Sequence, residues 1–229
     1  MIGIIGAMDI EIEKINARLE NKKEEIISGV TYTQGTLGKT EVVTAICGVG
    51  KVFAAICTQT MILRYKPDAI INSGIAGTLS DKVGVLGTVV ATALVQHDMD
   101  TSPLGDPKGL ISGINIINIP ADKNVSELLT SVVSDLGINT YAGAIASGDQ
   151  FISSAEKKSY ITNTFCAVAC EMEGAAIGHV CYVNNVPFGV VRAISDNADG
   201  TSHMDFPTFA AKAAEISIKT VKEFVKRKN

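Results

Sequence analysis

Short apolar runs ending in glycine or a small polar residue recur along this chain, and segments of helical spacing follow most of them. Ile2-Gly3-Ile4-Ile5-Gly6-Ala7 is the first, and AIINSGIAG (69–77) and GTVVATALVQHD (87–98) repeat the pattern. Further strands are expected at 140–147, 166–170 and 187–195. Runs this short and this apolar suit buried strands. Strands alternating with helices restrict the chain to an α/β domain around a largely parallel or mixed sheet. After the first run, Met8, Ile12, Ile15 and Leu19 share one helical face, with Glu13 and Glu20 opposite and Glu11 at the edge of the stripe. Helices are also expected at 50–65, 124–136, 172–184 and from about 206 onward. Residues 25–28, 31–37 and 40–46 alternate as antiparallel strands, with tight turns at Ser28-Gly29 and Gly38-Lys39. Ser153 and Glu156 have capping-box spacing and should open another helix. No repeat, linker or low-complexity tract interrupts the 229 residues, so a single domain over 1–229 is expected.

Charge narrows the function. The formal net charge is -4, and the one basic cluster is Lys226-Arg227-Lys228, so the chain carries no electrostatic footprint for nucleic acid or anionic lipid. Its apolar runs are too short to span a membrane, and MIGIIGAM starts without a basic leader, so a cytoplasmic protein is expected. Five cysteines among apolar neighbours, without a C-x-x-C, read as reduced and mostly buried thiols. His97, His179 and His203 are scattered, and His97-Asp98 with Asp100 is a poor ligand set, so no metal is expected. GIIGAM is G-x-x-G rather than G-x-G-x-x-G, which argues against a dinucleotide; no cofactor is expected.

In α/β sheets, ligands collect where loops converge at the carboxyl ends of strands. In AVACEMEGAAIGHVCY (167–182), Glu171 ends a strand and Glu173 falls in the first turn of a helix of small residues. Taken alone, Glu173 is as readily a dipole-stabilising or capping acid as a functional one. Gly174, Ala175, Ala176 and Gly178 imply close packing, beside which a long polar side chain points into a cleft. Arg192 and Asp196 in RAISDNAD, four apart, lie on one side of an extended strand, and by themselves read as an ordinary ion pair. SGDQFI by itself reads as a turn, with Phe151 as a staple. Together, three acids (Glu11, Glu173, Asp196), an arginine and an aromatic gather at strand ends of one sheet. Carboxylates flanking a glycosidic bond can activate water, protonate a leaving group and stabilise an oxocarbenium-like sugar. An aromatic side chain suits a flat nucleobase.

GIIGAMDIEIE, NSGIAG, SGDQFI, CEMEGAAIGHVC and VPFGVVRAISDNAD, in this order and spacing, resemble the 5′-methylthioadenosine/S-adenosylhomocysteine nucleosidases of the nucleoside phosphorylase superfamily. The resemblance runs nearly end to end. It implies a three-layer α/β/α sandwich with a central mixed sheet, a nucleoside substrate and a homodimer whose partner loop closes the 5′ pocket. By the same resemblance Asp196 would protonate adenine N7, with Ser195 orienting it, and would have to hold a proton near neutral pH. Phe151 would stack on the base and the Ile152 backbone would read its edge. Glu173 would hold the ribose hydroxyls against Met172, and Glu11 would activate water with Arg192 nearby. Met8, Ile75 and Phe206 would line the sugar and 5′ regions, with Ala76 and Gly77 beside Ile75. Thr101 and Leu104 would approach the 5′ group from the partner subunit. The sequence departs from the family at Ile75, where relatives often carry serine, and at Leu104, where many carry an aromatic. Two rival readings stand beside this one: a phosphate-dependent purine nucleoside phosphorylase, and a non-catalytic nucleoside-binding protein. Futalosine-type and AMP nucleosidases are rivals within hydrolysis.

Overall fold

The structure is a computed structural model that describes residues 1–199 and 206–228. Its organising element is a sheet in which consecutive residues of each inner strand enter two different cores. Strands β1 (Ile2–Gly6), β5 (Ala69–Thr78), β6 (Thr88–Gln96) and β10 (Phe188–Asp196) are buried over most or all of their length. Ile4, Ile71, Val90 and Val191 face one core, and their neighbours Ile5, Ile70, Val89 and Val190 face the other. A strand covered on both faces has no room for polar alternation, which is why these segments read as unbroken apolar runs.

Helices complete the layers. On one side pack α1 (Asp9–Asn16), α3 (Lys123–Asp135) and α6 (Phe206–Arg227), through Ile12, Ile15, Leu129, Val133, Val221 and Phe224. On the other lie α2 (Lys51–Tyr65) and α5 (Gly174–Val183), through Ala54, Cys57, Met61, Ala175, Ile177 and Cys181. The spacing of Ala54, Cys57 and Met61 is that of a single helical face. Helix α4 (Ala155–Phe165) covers a smaller core with Ile161 and Phe165. Its N-cap is Ser154, whose hydroxyl accepts from Lys157 N, so the helix starts one residue later than the Ser153–Glu156 spacing suggested.

Sheet order runs β10-β6-β8-β9-β5-β1-β4-β3-β2, where β8 is Thr140–Ser147, β9 Ala167–Glu171, β4 Thr40–Ile46, β3 Val30–Leu37 and β2 Glu20–Ile27. The short β7 (Ile119–Pro120) pairs with β6. The expected mixed sheet and antiparallel β2-β3-β4 meander are both present. One feature goes beyond expectation: β10 also pairs with β5, so β5, β10, β6, β8 and β9 close on themselves. Closure brings the ends of β5, β8, β9 and β10 around one space.

Candidate active site

That space is a cleft enclosing ≈ 270 Å³, lined by residues at the ends of strands, by the first turn of α1 and by the residue that caps α5. Glu11 reaches it from α1. Its Oε2 accepts from Ala7 N (2.7 Å) and Met8 N (3.0 Å), and its Oε1 from Ile75 N (3.1 Å), so one carboxylate joins β1, α1 and β5. Burial raises its pKa above the usual carboxylate value, although Arg192 and the three amides oppose the shift.

Arg192 enters from β10, where it pairs in register with Gly74 of β5. A Cβ at position 74 would overlap both Arg192 Nη1 and Glu11 Oε1. The glycine is what lets the guanidinium and the carboxylate share that surface. Arg192 is 1% exposed, and its Nη2 donates to Asn72 Oδ1 (2.5 Å) and to Glu171 Oε2, with Glu173 Oε2 at 3.5 Å. Burial alone would lower its pKa, but Glu171, Glu173 and Glu11 raise it on balance, and the guanidinium stays charged.

The two glutamates in the apolar stretch separate in role. Glu171 is fully engaged: Oε1 accepts from Ser147 Oγ and Gly174 N (3.0 Å), and Oε2 from Glu173 N (3.0 Å), Gly174 N (2.8 Å) and Arg192. It both orients the arginine and satisfies the opening amides of α5. Glu173 occupies the N-cap position of α5 rather than its first turn, yet its side chain makes no capping bond. It turns into the cleft, where Oε1 accepts from Gly50 N at 2.9 Å. Burial first, and the charge of Glu171 second, raise its pKa to about 7.

Asp196 lies at the other wall, its Oδ2 accepting from Ser195 Oγ (2.8 Å) and its Oδ1 from Ala198 N (2.8 Å). An irregularity in β10 between Ile194 and Asp196 shifts the register against Gly77, and the Asp196 side chain stays buried. Met8, Ile75, Ala76, Gly77, Phe151, Ile152 and Met172 line the same cleft. Phe151 remains 57% exposed over its mouth. Ile75 lies with Ala193, Ala210, Ala213 and Ala214 in a small apolar cluster, so the wall at this point is hydrocarbon.

Every residue predicted to line this chain's own cleft, and whose side chain is described, therefore meets in one place; Thr101 and Leu104, expected at a partner subunit's pocket, stand apart from it. Thr101 bonds to Asp106 within its own loop, and Leu104 is 83% exposed; neither lines this chain's cleft. The side chain of Phe206 lies outside the described part of the structure. The cleft also contains residues that the sequence reading passed over: Ala7, Val49, Gln150 and Cys170. Asn72, behind Arg192, had a signal, being a polar residue inside an apolar strand; Val49 had none beyond its flanking glycines. Among the described residues no group of three or more His, Cys, Asp or Glu side chains is arranged to hold a metal ion.

With this geometry the comparisons with known proteins are specific. The family model described as the phosphorylase superfamily matches residues 1–226. The chain belongs to that superfamily. A 5′-methylthioadenosine/S-adenosylhomocysteine nucleosidase of Staphylococcus aureus (strain JH9) is 39% identical over 226 residues, spanning 98% of this chain and 99% of the relative. A crystal structure of a Helicobacter pylori MTAN mutant with 5′-methylthioadenosine in its active site superposes with a TM-score of 0.94 at 36% identity, covering 99% of this chain and 98% of that one. A native futalosine hydrolase from Helicobacter pylori strain 26695 gives the same 0.94 and 36%, with 99% and 97% covered. The α/β fold with a central mixed sheet agrees with these structures.

Proposed function

We propose that this superfamily member is an N-glycosyl hydrolase that cleaves 5′-methylthioadenosine and S-adenosylhomocysteine to adenine and the 5′-substituted ribose. The observation that carries the reading is the charge of the cleft: three carboxylates, Glu11, Glu171 and Glu173, surround the single guanidinium of Arg192. Acids clustered on the one cation leave it unavailable to a phosphate dianion, and their ionised forms favour positive charge building on a ribose in a buried site. Glu11 in particular occupies the amides of Ala7, Met8 and Ile75, which a phosphorylase would need for its anion.

In the proposed reaction, Phe151 stacks on adenine and Ile152 flanks its edge. Glu173 accepts from the ribose hydroxyls, and Met8, Met172 and Ile75 offer an apolar surface to the sugar and its substituent. Asp196, held by Ser195, delivers a proton to adenine N7 as the C1′–N9 bond breaks and its electron pair leaves with the base. Water adds to C1′ and gives its proton to Glu11. Protonation by a positioned acid contributes about 10²–10⁴-fold in rate. The futalosine hydrolase among the similar structures supports a second reading within nucleoside hydrolysis.

The proposed assembly is a homodimer in the cytoplasm. Val52, Phe53, Ile56 and Leu63 stand exposed on the outer face of α2, more apolar surface than a solvated helix needs. Leu104 projects outward as a residue closing a partner's pocket would. No helix among the described residues is long and apolar enough to cross a membrane.

Adenine release from 5′-methylthioadenosine, with and without phosphate, tests the reading. Free methylthioribose and a rate independent of phosphate are expected, with turnover lost on Asp196→Asn. A sugar 1-phosphate formed only with phosphate present would make the protein a phosphorylase. Unchanged behaviour on Asp196→Asn would support the binding protein instead.

A further inference from the structure

The loop Cys47-Gly48-Val49-Gly50 between β4 and α2 touches the cleft at one point, and Lys51, which opens α2, joins a second polar cluster. In that cluster three residues from three strand ends close a ring. Lys51 N donates to Asp149 Oδ1 (2.7 Å), Asp149 N donates to Asp98 Oδ2 (2.9 Å), and Lys51 Nζ returns to Asp98 Oδ1 (2.5 Å). Gln96 Oε1 also accepts from Lys51 Nζ at 3.1 Å. The Lys51 and Asp98 side chains are each 18% exposed, so the pair is largely shielded from water and salt. Gly50 has φ +101°, and a Cβ there would press on Asp149 Oδ1 at 3.1 Å, so the loop is closely fitted to the ring.

The ring's position gives it a consequence for the cleft. Immediately before Lys51, Gly50 N is the donor to Glu173 Oε1. Two residues after Asp149 stands Phe151, with Gln150 between them also lining the cleft. The side chain proposed to hold the ribose and the aromatic proposed to cover the base thus depend on backbone segments locked together by one lysine and two aspartates.

We propose that Lys51, Asp98 and Asp149 are positioning residues for nucleoside binding: they hold Gly50 against Glu173 and set the Gln150-Phe151 segment over the base. The inference rests on the nucleosidase reading of the cleft. None of the three lines the cleft, and none takes part in proton transfer. Their contribution reaches the ribose hydroxyls and the base rather than the atoms that exchange protons, and interactions made alike in ground and transition states act on KM. Loosening the ring therefore acts on KM more than on kcat.

The test compares wild type with Lys51→Met and Asp98→Asn in 5′-methylthioadenosine hydrolysis, below each protein's own Tm. Both variants are expected to raise KM about tenfold or more, in line with the cost of misplacing groups around a substrate, and to lower kcat by less. A purely structural role would reduce the active fraction instead, lowering apparent kcat at unchanged KM. Asp98→Asn keeps the side chain's shape and the acceptor for Asp149 N, so it carries the test should Lys51→Met fail to fold. An active wild type with both KM values within twofold of each other's and its own, or a fall confined to kcat, overturns the positioning role alone. A wild type that releases no adenine overturns the nucleosidase reading, and this inference with it.

Discussion

Glu171→Gln isolates the buried charge that organises the cleft without changing its shape. The amide would place its oxygen where Oε2 now meets Arg192 and the amides of Glu173 and Gly174. Its NH2 would replace Oε1 and could no longer accept from Ser147 Oγ or Gly174 N, although Gly174 N keeps the other oxygen at 2.8 Å. The side chain keeps its shape, and the main loss is the negative charge. Removing one partner of a buried ion pair costs about 3–5 kcal/mol. Arg192 keeps Asn72 and has Glu173 at 3.5 Å, so the expected loss lies at the lower end, about 3 kcal/mol. For a chain of this size that corresponds to a fall in Tm of about 6–12 °C. Urea unfolding should show a lower midpoint at constant m.

A pH dependence follows from Glu173. Its pKa in the fold, about 7, lies above its ordinary 4.5, so its contribution to stability is fully present below about 4.5 and is lost as pH rises through about 7. The Glu171 charge is part of what raises that value, and removing it relieves the loss at high pH. The destabilisation by Glu171→Gln should therefore be smaller at pH 8 than at pH 5. A loss below about 1 kcal/mol at both pH values would refute the view that this carboxylate is the principal counter-charge of Arg192.

Three further outcomes can be checked directly. Gly74→Ala should displace Arg192 or Glu11, lowering stability by about 1–3 kcal/mol in urea melts and turnover by more than 10²-fold. Glu173→Gln should weaken substrate binding yet stabilise the ligand-free protein more at pH 8 than at pH 5, because the raised pKa of Glu173 makes its ionised form the costly one; thermal melts at the two pH values decide it. Phe53→Asp, on the exposed apolar face of α2, should shift sedimentation at micromolar concentration from a dimer to a 24.1 kDa species; a wild type that already sediments at that mass would remove the dimer.

Much of the fold was legible because its inner strands are apolar on both faces and its turns carry glycine where expected. The part missed shows the converse. Strand β2 begins at Glu20 rather than near residue 25, and its sequence ENKKEEII has no alternation to read. It is an edge strand, exposed along most of its length, and its pairing with β3 rather than burial holds it in place. The start of α4 was misplaced by one residue because Ser153 and Ser154 are both capable caps, and local spacing cannot choose between them.

In the site, position in sequence placed Glu11, Glu171, Glu173 and Asp196 at strand or helix ends, which is a local property of each segment; Arg192, also expected at a strand end, lies mid-way along β10. What they do there was settled by pairings far apart in the chain. Arg192 meets Asn72 and Glu171 across 120 and 21 residues, Glu173 meets Gly50 across 123, and Lys51 meets Asp98 and Asp149 across 47 and 98. The sequence by itself determined the alternation of buried strands and helices and the acids at their ends, because burial and helical periodicity are written in neighbouring residues. Only the tertiary structure decided which carboxylate neutralises the arginine and which turns into the cleft, because that depends on strands brought together by closure of the sheet.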